Sequence, residues 1–238
     1  MRGCKISYAS AVRFSLMIRF AAALPWRISQ RLFNSQSVST TIPVHEKFDA
    51  FIALGSNLGD RVAEIEKALD RLKSIGEVVA TSHLYESSPM YFLDQSAFIN
   101  AACHIKTKLG PFDLLAALKA IEVDNGREKT FRNGPRVIDL DIILHGSTVL
   151  GTPNLEIPHP RLGERRFVLL PMVDLNPDIM HPGLNASMRQ LLDKLPLDNI
   201  GELSRVIPVG KHRNGTERLI RMDDRVYVAA ILNMTPDR

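Results

Sequence analysis

Two carboxylates one residue apart interrupt the apolar run Val137-Ile-Asp139-Leu-Asp141-Ile-Ile-Leu144, and that pattern restricts what this segment can become. In a β-strand successive side chains face opposite sides. Asp139 and Asp141 then project from one face about 7 Å apart, while Leu140, Ile142 and Leu144 point the other way. One face must pack in a core and the other must open onto water or a ligand. Two like charges on such a strand repel each other and are costly to desolvate. A divalent cation such as Mg²⁺ offsets that cost and also holds substrate phosphates. A bare Asp-x-Asp is short, and two solvated acids at a strand end give the same pattern, so its context has to decide.

The context is cationic. Arg127, Lys129, Arg132 and Arg136 precede the acids, and Gly134-Pro135 sets a turn that aims the strand. Downstream come His159 within Ile157-Pro-His-Pro-Arg161, then Arg165-Arg166-Phe167. Nearer the start, Phe51-Ile-Ala-Leu-Gly-Ser-Asn-Leu-Gly-Asp60 is an apolar strand running into a glycine-rich turn.

Periodicity supplies the elements between these motifs. Phe48 to Leu54 reads as a buried strand. Asp60 reads as the N-cap of a helix carrying Val62, Ile65, Leu69 and Leu72, closed by Gly76. Val78 to Tyr85 and Phe98 to Thr107 read as two further strands. Pro111 opens a second helix with Leu114, Leu115, Leu118 and Ile121 at helical spacing, and Gly126 stops it. With Val137 to Leu144 the order is βαββαβ. The predicted fold class is α+β, a ferredoxin-like core with an antiparallel sheet, helices on one face and the other face free for ligands. Glu164 to Leu170 and Ser187 to Leu195 are expected as extra C-terminal helices, and 197–225 as a linker.

Composition bounds the rest. A chain of 238 residues with 45% hydrophobic content can bury one good core or two small ones. The net charge of +4 invites a nucleic-acid reading, but the first 45 residues hold six basic side chains and no acid, which leaves the remainder at −2. No nucleic-acid partner is expected. Met1 to Thr41, rich in Arg and Ser and free of acids, reads as a transit peptide for the mitochondrial matrix, with the plastid as the alternative. The apolar stretch Phe14 to Trp26 also suggests a signal-peptide core, but Arg19 interrupts it, and no run approaches the roughly 20 residues of a membrane span. The two cysteines, Cys4 and Cys103, give no disulfide framework.

Taken together, the run from Arg132 to Ile143, Gly-Ser-Asn-Leu-Gly-Asp60 and the His and Arg segments resemble 6-hydroxymethyl-7,8-dihydropterin pyrophosphokinase, from about Phe48 to Pro182. The domain is expected over 46–196. The resemblance implies transfer of pyrophosphate from ATP to the hydroxymethyl group of a dihydropterin, releasing AMP, in folate synthesis. It implies ATP as co-substrate and two Mg²⁺ ions on Asp139 and Asp141. Arg127, Lys129 and Arg136 match catalytic positions, and Glu122, Ile142, His159 and Arg165 match positions near the nucleotide. Ser87, Ser88, Met90, Phe98, Asn100 and Phe167 match the pterin pocket. Arg132 and Arg161 are as readily explained by surface ion pairs. Relatives often carry an aromatic residue where this chain has Asn133, and the loop from Gly126 to Gly134 is one residue shorter than in bacterial relatives.

Val226-Tyr-Val-Ala-Ala-Ile-Leu-Asn-Met-Thr-Pro-Asp237 is similar to the first strand and loop of dihydropteroate synthase, a TIM-barrel enzyme. The expectation is a plant-type bifunctional chain stopped at the start of the synthase barrel, over 226–238. Such a barrel needs about 250 residues, so no synthase activity is expected from this segment. A non-catalytic module that binds ATP or pterin, or that associates with full-length bifunctional subunits, is the alternative reading.

Overall fold

The computed structural model describes residues 47–128, 131, 133–196 and 203–222. The expected leader, the expected synthase strand, Lys129 and Arg132 lie outside the described residues.

The first elements follow the expected order: β1 (Phe48–Ser56), α1 (Arg61–Leu72), β2 (Glu77–Thr81), β3 (Leu84–Ser87), β4 (Phe98–Thr107), α2 (Pro111–Asp124) and β5 (Asp139–His145). Asp60 caps α1 by accepting a hydrogen bond from the Ala63 N–H at 3.1 Å. Pro111 sits in the first turn of α2, where its missing N–H costs nothing, and Gly126 follows that helix at φ 87°, a left-handed conformation that glycine adopts without strain.

β1 lies between β4 and β5 and is antiparallel to both. The predicted single strand Val78 to Tyr85 is two strands, β2 and β3, both antiparallel to β4. The break falls at Ser82 and His83, where the Ser82 hydroxyl accepts the Ala102 N–H at 2.9 Å and so replaces a ladder bond.

One face of the sheet packs on α1 and α2. Ile52 and Leu54 from β1, Ile99 and Ile105 from β4, and Leu140 and Ile142 from β5 meet Ile65, Leu72, Leu114 and Leu118 there, nearly all inaccessible to solvent. Each such side chain contributes on the order of 1.5–3 kcal/mol by leaving water. Cys103 lies in the same layer, where burial pushes its thiol up to about 12, so it is an inert packing residue.

The other face is not free along its length, as the sequence suggested. The chain continues through two short paired strands, β6 (Leu150–Gly151) and β7 (Glu156–Ile157), into α3 (Arg166–Leu175). A second pair, β8 (Met180–His181) and β9 (Ala186–Ser187), leads into α4 (Met188–Asp193), which opens on a capping box between Ser187 and Gln190. The expected helix from Glu164 to Leu170 begins two residues later and runs on through Pro171, because Met172 and Val173 extend its buried stripe. α3 and α4 form a second core with Ala102, Ile143 and Leu144.

Leu144 in that second core corrects a sequence expectation. The register of β5 against β1 shifts between Phe51 and Ile52, so one extra residue enters β5 after Ile142. The bulge leaves Asp139 and Asp141 on the expected face but turns Leu144 away from Leu140 and Ile142, towards α3 and α4.

The expected linker is also corrected over 203–222. β10 (Leu203–Lys211) pairs antiparallel with β3 and turns into β11 (Glu217–Arg221), extending the sheet to the order β11-β10-β3-β4-β1-β5. Val206 is buried in the first core against the same helix layer as Leu84. Arg61 at the start of α1 lies between Glu86 on β3, at 3.0 Å, and Glu217 on β11. Among the described residues no helix is long and apolar enough to cross a membrane.

Candidate active site

Where α3 leaves the sheet uncovered, the ends of β1, β4 and β5 form the floor of a cavity of about 380 Å³. Alternation sets what reaches it. Gly55 from β1, Phe98 and Asn100 from β4, and Asp139 and Asp141 from β5 face the cavity, while their neighbours face the helices.

Asp139 is held by two guanidinium groups: Arg127 at 2.7 Å from Oδ1 and Arg136 at 2.6 Å from Oδ2. Burial pushes its carboxyl up, but Arg136, Arg127 and Lys119 together outweigh burial and hold it below the usual carboxylate range. Asp141 is shifted the other way. Burial and the neighbouring Asp139 charge raise it, and the more distant Lys119, Arg165 and Arg127 do not compensate. Among the described residues no third His, Cys, Asp or Glu completes a metal cluster with this pair.

Glu122 and Ile142, read from the sequence as neighbours of the nucleotide, do not line the cavity. Ile142 is packed in the helix-side core. Glu122 lies beneath the floor on α2, 2% exposed, and its carboxylate is a hub. Oε1 accepts the Leu140 N–H and the Lys119 ammonium, both at 2.7 Å, and Oε2 pairs with Arg127 at 2.6 Å. The carboxylate therefore fixes Arg127, and it grips β5 at the peptide between the two aspartates.

Arg136 is fixed from the opposite side by Asn57 of the glycine-rich turn. The Asn57 side-chain carbonyl accepts the Arg136 N–H at 2.8 Å, and the Arg136 carbonyl accepts the Asn57 N–H at 3.1 Å. The Asn57 amide donates to Gln95 Oε1 at 2.9 Å and to the Ser96 carbonyl at 3.1 Å, and Gln95 donates to the Asn133 carbonyl at 3.0 Å. Three loops are joined through one side chain that is 2% exposed. Asn133 has φ 62°, which asparagine tolerates better than most residues and which a bulky aromatic would adopt only under strain.

The loop before α3 supplies the other wall. His159 accepts the Arg161 N–H on Nδ1 at 3.2 Å, which places its proton on Nε2 in the neutral ring. Burial and the charges of Arg165 and Arg161 lower its pKa to about 4, so it is a neutral donor at physiological pH. Arg165 has a buried Nε with no hydrogen-bond partner among the described residues, and its guanidinium lies 5.5 Å from the Phe167 ring centroid. Arg161, for which a surface ion pair was as ready an explanation as a role in the site, pairs with no carboxylate among the described residues and lines the cavity.

At the far end, Asn100 donates to Ser87 Oγ at 2.9 Å and to the Tyr85 carbonyl at 3.3 Å. Ser88, Met90, Phe98 and Phe167 also line the cavity, with Met90 and Ser88 largely exposed. The structure thus gathers Arg127, Arg136, Asp139, Asp141, His159, Arg165, Ser87, Ser88, Met90, Phe98, Asn100 and Phe167 around one cavity. It adds Lys119, Tyr91, Gln95 and Arg161, which the sequence reading did not assign to the site. Lys119 had a usable signal, being one helical turn before Glu122, whereas Tyr91 had none.

The family model for 7,8-dihydro-6-hydroxymethylpterin-pyrophosphokinase matches residues 51–177, which contain every one of these side chains. The chain belongs to that family. Among pyrophosphokinase relatives, the 2-amino-4-hydroxy-6-hydroxymethyldihydropteridine pyrophosphokinase of Pseudomonas aeruginosa is 42% identical over 155 residues, covering 64% of this chain and 95% of that protein. A protein of Arabidopsis thaliana named as a mitochondrial bifunctional folate synthesis protein is 39% identical over 229 residues, covering 90% of this chain and 40% of that one. The chain spans 30% to 40% of the length of the first folate-synthesis relatives it matches. A crystal structure of Plasmodium falciparum HPPK-DHPS superposes with a TM-score of 0.61 at 19% identity, covering 77% of this chain and 51% of that one, which shows a shared fold. The pyrophosphokinase fold is therefore α+β with an antiparallel sheet, as expected.

Proposed function

We propose that this chain is a 6-hydroxymethyl-7,8-dihydropterin pyrophosphokinase, transferring pyrophosphate from ATP to the pterin hydroxymethyl group and releasing AMP. The carrying observation is one cavity in which two carboxylates on the same strand face meet Arg127, Arg136 and Arg165. Guanidinium groups suit a polyphosphate because they remain charged and offer fixed, paired donors. Arg165 carries a donor with no acceptor among the described residues, and neutral His159 offers an N–H. The alcohol attacks the β-phosphorus and the α–β bridging oxygen leaves with AMP. The catalytic work is alignment and absorption of charge, with no covalent protein intermediate required.

The donor set fits magnesium. Asp139 and Asp141 would hold the ion through hard carboxylate oxygens facing the cavity, alongside phosphate and water oxygens. Bound Mg²⁺, two ions on this reading, supplies neutralisation of the triphosphate and a lowered pKa for the attacking hydroxyl. The pterin is assigned to the end with Asn100, Ser87, Ser88, Met90, Phe98 and Phe167. Asn100 offers an amide for the ring edge, and Phe167 offers a face for stacking. Lys129 is assigned to the same phosphate loop on its sequence position alone. The acid-free leader and the mitochondrial names of plant relatives support a mitochondrial matrix location, with association with full-length bifunctional subunits as a further partner.

Incubating the purified chain with ATP, Mg²⁺ and 6-hydroxymethyl-7,8-dihydropterin, and separating the nucleotides, tests the proposal. AMP together with a pyrophosphorylated pterin is expected. ADP as the product, or nucleotide binding without turnover, rejects it, and the latter outcome supports the non-catalytic module.

A further inference from the structure

Tyr91 lies in the loop between β3 and β4 and lines the cavity. The same cavity is lined by Met90, Phe98, His159, Arg161 and Arg165. Its oxygen accepts a hydrogen bond from Arg161 Nη1 at 2.7 Å and a longer one from Arg165 Nη2 at 3.4 Å. The Arg161 guanidinium also lies over the Tyr91 ring, 5.5 Å from its centroid. Arg165 is thereby bounded by two aromatic groups, the Tyr91 oxygen and the Phe167 face.

Two arginines four positions apart repel each other, and neither has a carboxylate to hold it among the described residues. Phosphate-binding side chains that roam must lose that freedom when a ligand arrives, and the loss weakens binding. A phenol is a suitable tether. Its oxygen accepts from both cations and its ring faces one of them, yet it carries no charge that would compete with a phosphate.

We propose that Tyr91 is a positioning residue for the phosphate clamp: it holds Arg161 and Arg165 side by side at the cavity wall, so that both can donate to one polyphosphate. The proposal rests on the pyrophosphokinase reading of the same cavity. It assigns Tyr91 no contact with the reacting atoms. The lowered pKa of the phenol, produced mainly by its hydrogen bond with Arg165, agrees with a tether that sits in a cationic field.

The test compares Tyr91→Phe, which removes the oxygen but keeps the ring, with Tyr91→Leu, which removes both. Tyr91 is 52% exposed, so neither substitution should unfold the chain, and thermal melting checks this. Binding of a non-hydrolysable ATP analogue with Mg²⁺ is measured by calorimetry, and KM and kcat by AMP release. For Tyr91→Phe, analogue affinity falls and KM for ATP rises on the order of 5- to 10-fold, the scale of one hydrogen bond to a charged group. For Tyr91→Leu the loss is larger. In both variants kcat at saturating ATP and KM for the pterin stay near their wild-type values.

Repeating Tyr91→Phe in an Arg161→Met, Arg165→Met background supplies the second arm, and there the phenol oxygen should make no difference. Unchanged analogue affinity in Tyr91→Phe overturns the proposal. So does a loss that persists in the double-Met background, or one that falls equally on both substrates. Failure of the wild-type chain to release AMP overturns the pyrophosphokinase reading itself, an outcome distinct from wild-type activity that Tyr91→Phe leaves intact.

Discussion

Asp139 and Asp141 share one face of β5, two residues apart, yet their surroundings push their carboxyls in opposite directions. Asp139 gains two guanidinium partners and is held below its usual range. Asp141 gains burial and a neighbouring negative charge, and is raised. Their effects on stability have opposite signs. Asp139 stabilises the fold above its unfolded pKa and loses that contribution as pH falls through its folded value. Asp141 binds its proton more tightly when folded, so ionising it costs stability, and this cost disappears at acid pH.

Asp141→Asn should therefore make the ligand-free protein more stable at pH 7, by about 0.5–2 kcal/mol, the usual gain from relieving a functional site. The gain should shrink as pH falls towards about 4, where an unfolded aspartate protonates. Thermal melting of both proteins across pH 4 to 8 measures it, and a variant less stable than wild type at pH 7 defeats the argument. The same substitution should lower AMP release on the order of 10²–10³-fold, the size of losing one preorganised electrostatic group. Millimolar Mg²⁺ with an ATP analogue should stabilise wild type more than the variant.

Glu122 connects stability to the arrangement of the site. Glu122→Ala removes the acceptor of the Leu140 N–H and one partner of Arg127, and should cost about 3–5 kcal/mol, as expected for breaking a buried ion pair. Glu122→Gln keeps an acceptor for Leu140 and should cost less. Urea unfolding ranks the three proteins, and equal stability of the Ala and Gln variants would show that the buried charge, rather than the hydrogen bond, is what matters.

Much of this was legible in the sequence, for reasons that particular residues make plain. Asp139 and Asp141 fall on one face because strand alternation is local and survives folding. Asp60, Pro111 and Gly126 mark helix ends because caps act through their own backbone neighbours. Leu144 was misread because a bulge is decided by the partner strand and shifts every later side chain. Glu122 was placed beside the nucleotide, whereas its contacts with Leu140 and Arg127 depend on how α2 lies under β5. Tyr91 and Gln95 reach the cavity from a loop with no periodicity, so nothing local to them reports their partners. The β10–β11 hairpin was hidden for a related reason. The segment 197–225 was expected as a linker, but β10 has a register shift at Gly210 and gains a partner from β3, far away in sequence.

Asn57 should behave as a loop coordinator. Asn57→Ala deprives the Arg136 N–H of its acceptor and releases Gln95 and Ser96 together. Unfolding free energy should fall by about 1–3 kcal/mol, the cost of a buried donor left unpaired. Turnover should fall by more than the stability change alone explains, because Arg136 and Asn133 then move independently. Comparing kcat with the melting temperature at a temperature where both proteins are folded checks this, and an unchanged kcat would reject it.

The β10–β11 hairpin makes the last prediction. Arg61 lies between Glu86 and Glu217, with side-chain exposures of 15%, 13% and 6%, and it also donates to the Ala97 carbonyl at 2.8 Å, just before β4. A second link joins Lys211 to the α1 N-cap Asp60 at 2.5 Å. The hairpin therefore covers the edge of β3, supplies Val206 to the core, and neutralises the helix start. Arg61→Met leaves two shielded carboxylates with one fewer cation and should cost about 3–5 kcal/mol, as for other buried pairs losing a partner. Combining Arg61→Met with Glu217→Met should recover part of that loss, since a methionine pair of similar volume leaves only Glu86 to be neutralised, and Arg221 already contacts it at 2.7 Å. Chemical unfolding of the single and double variants gives the coupling. Strictly additive losses would mean that Arg61 and Glu217 are not coupled, so that this pair does not fasten the hairpin to α1.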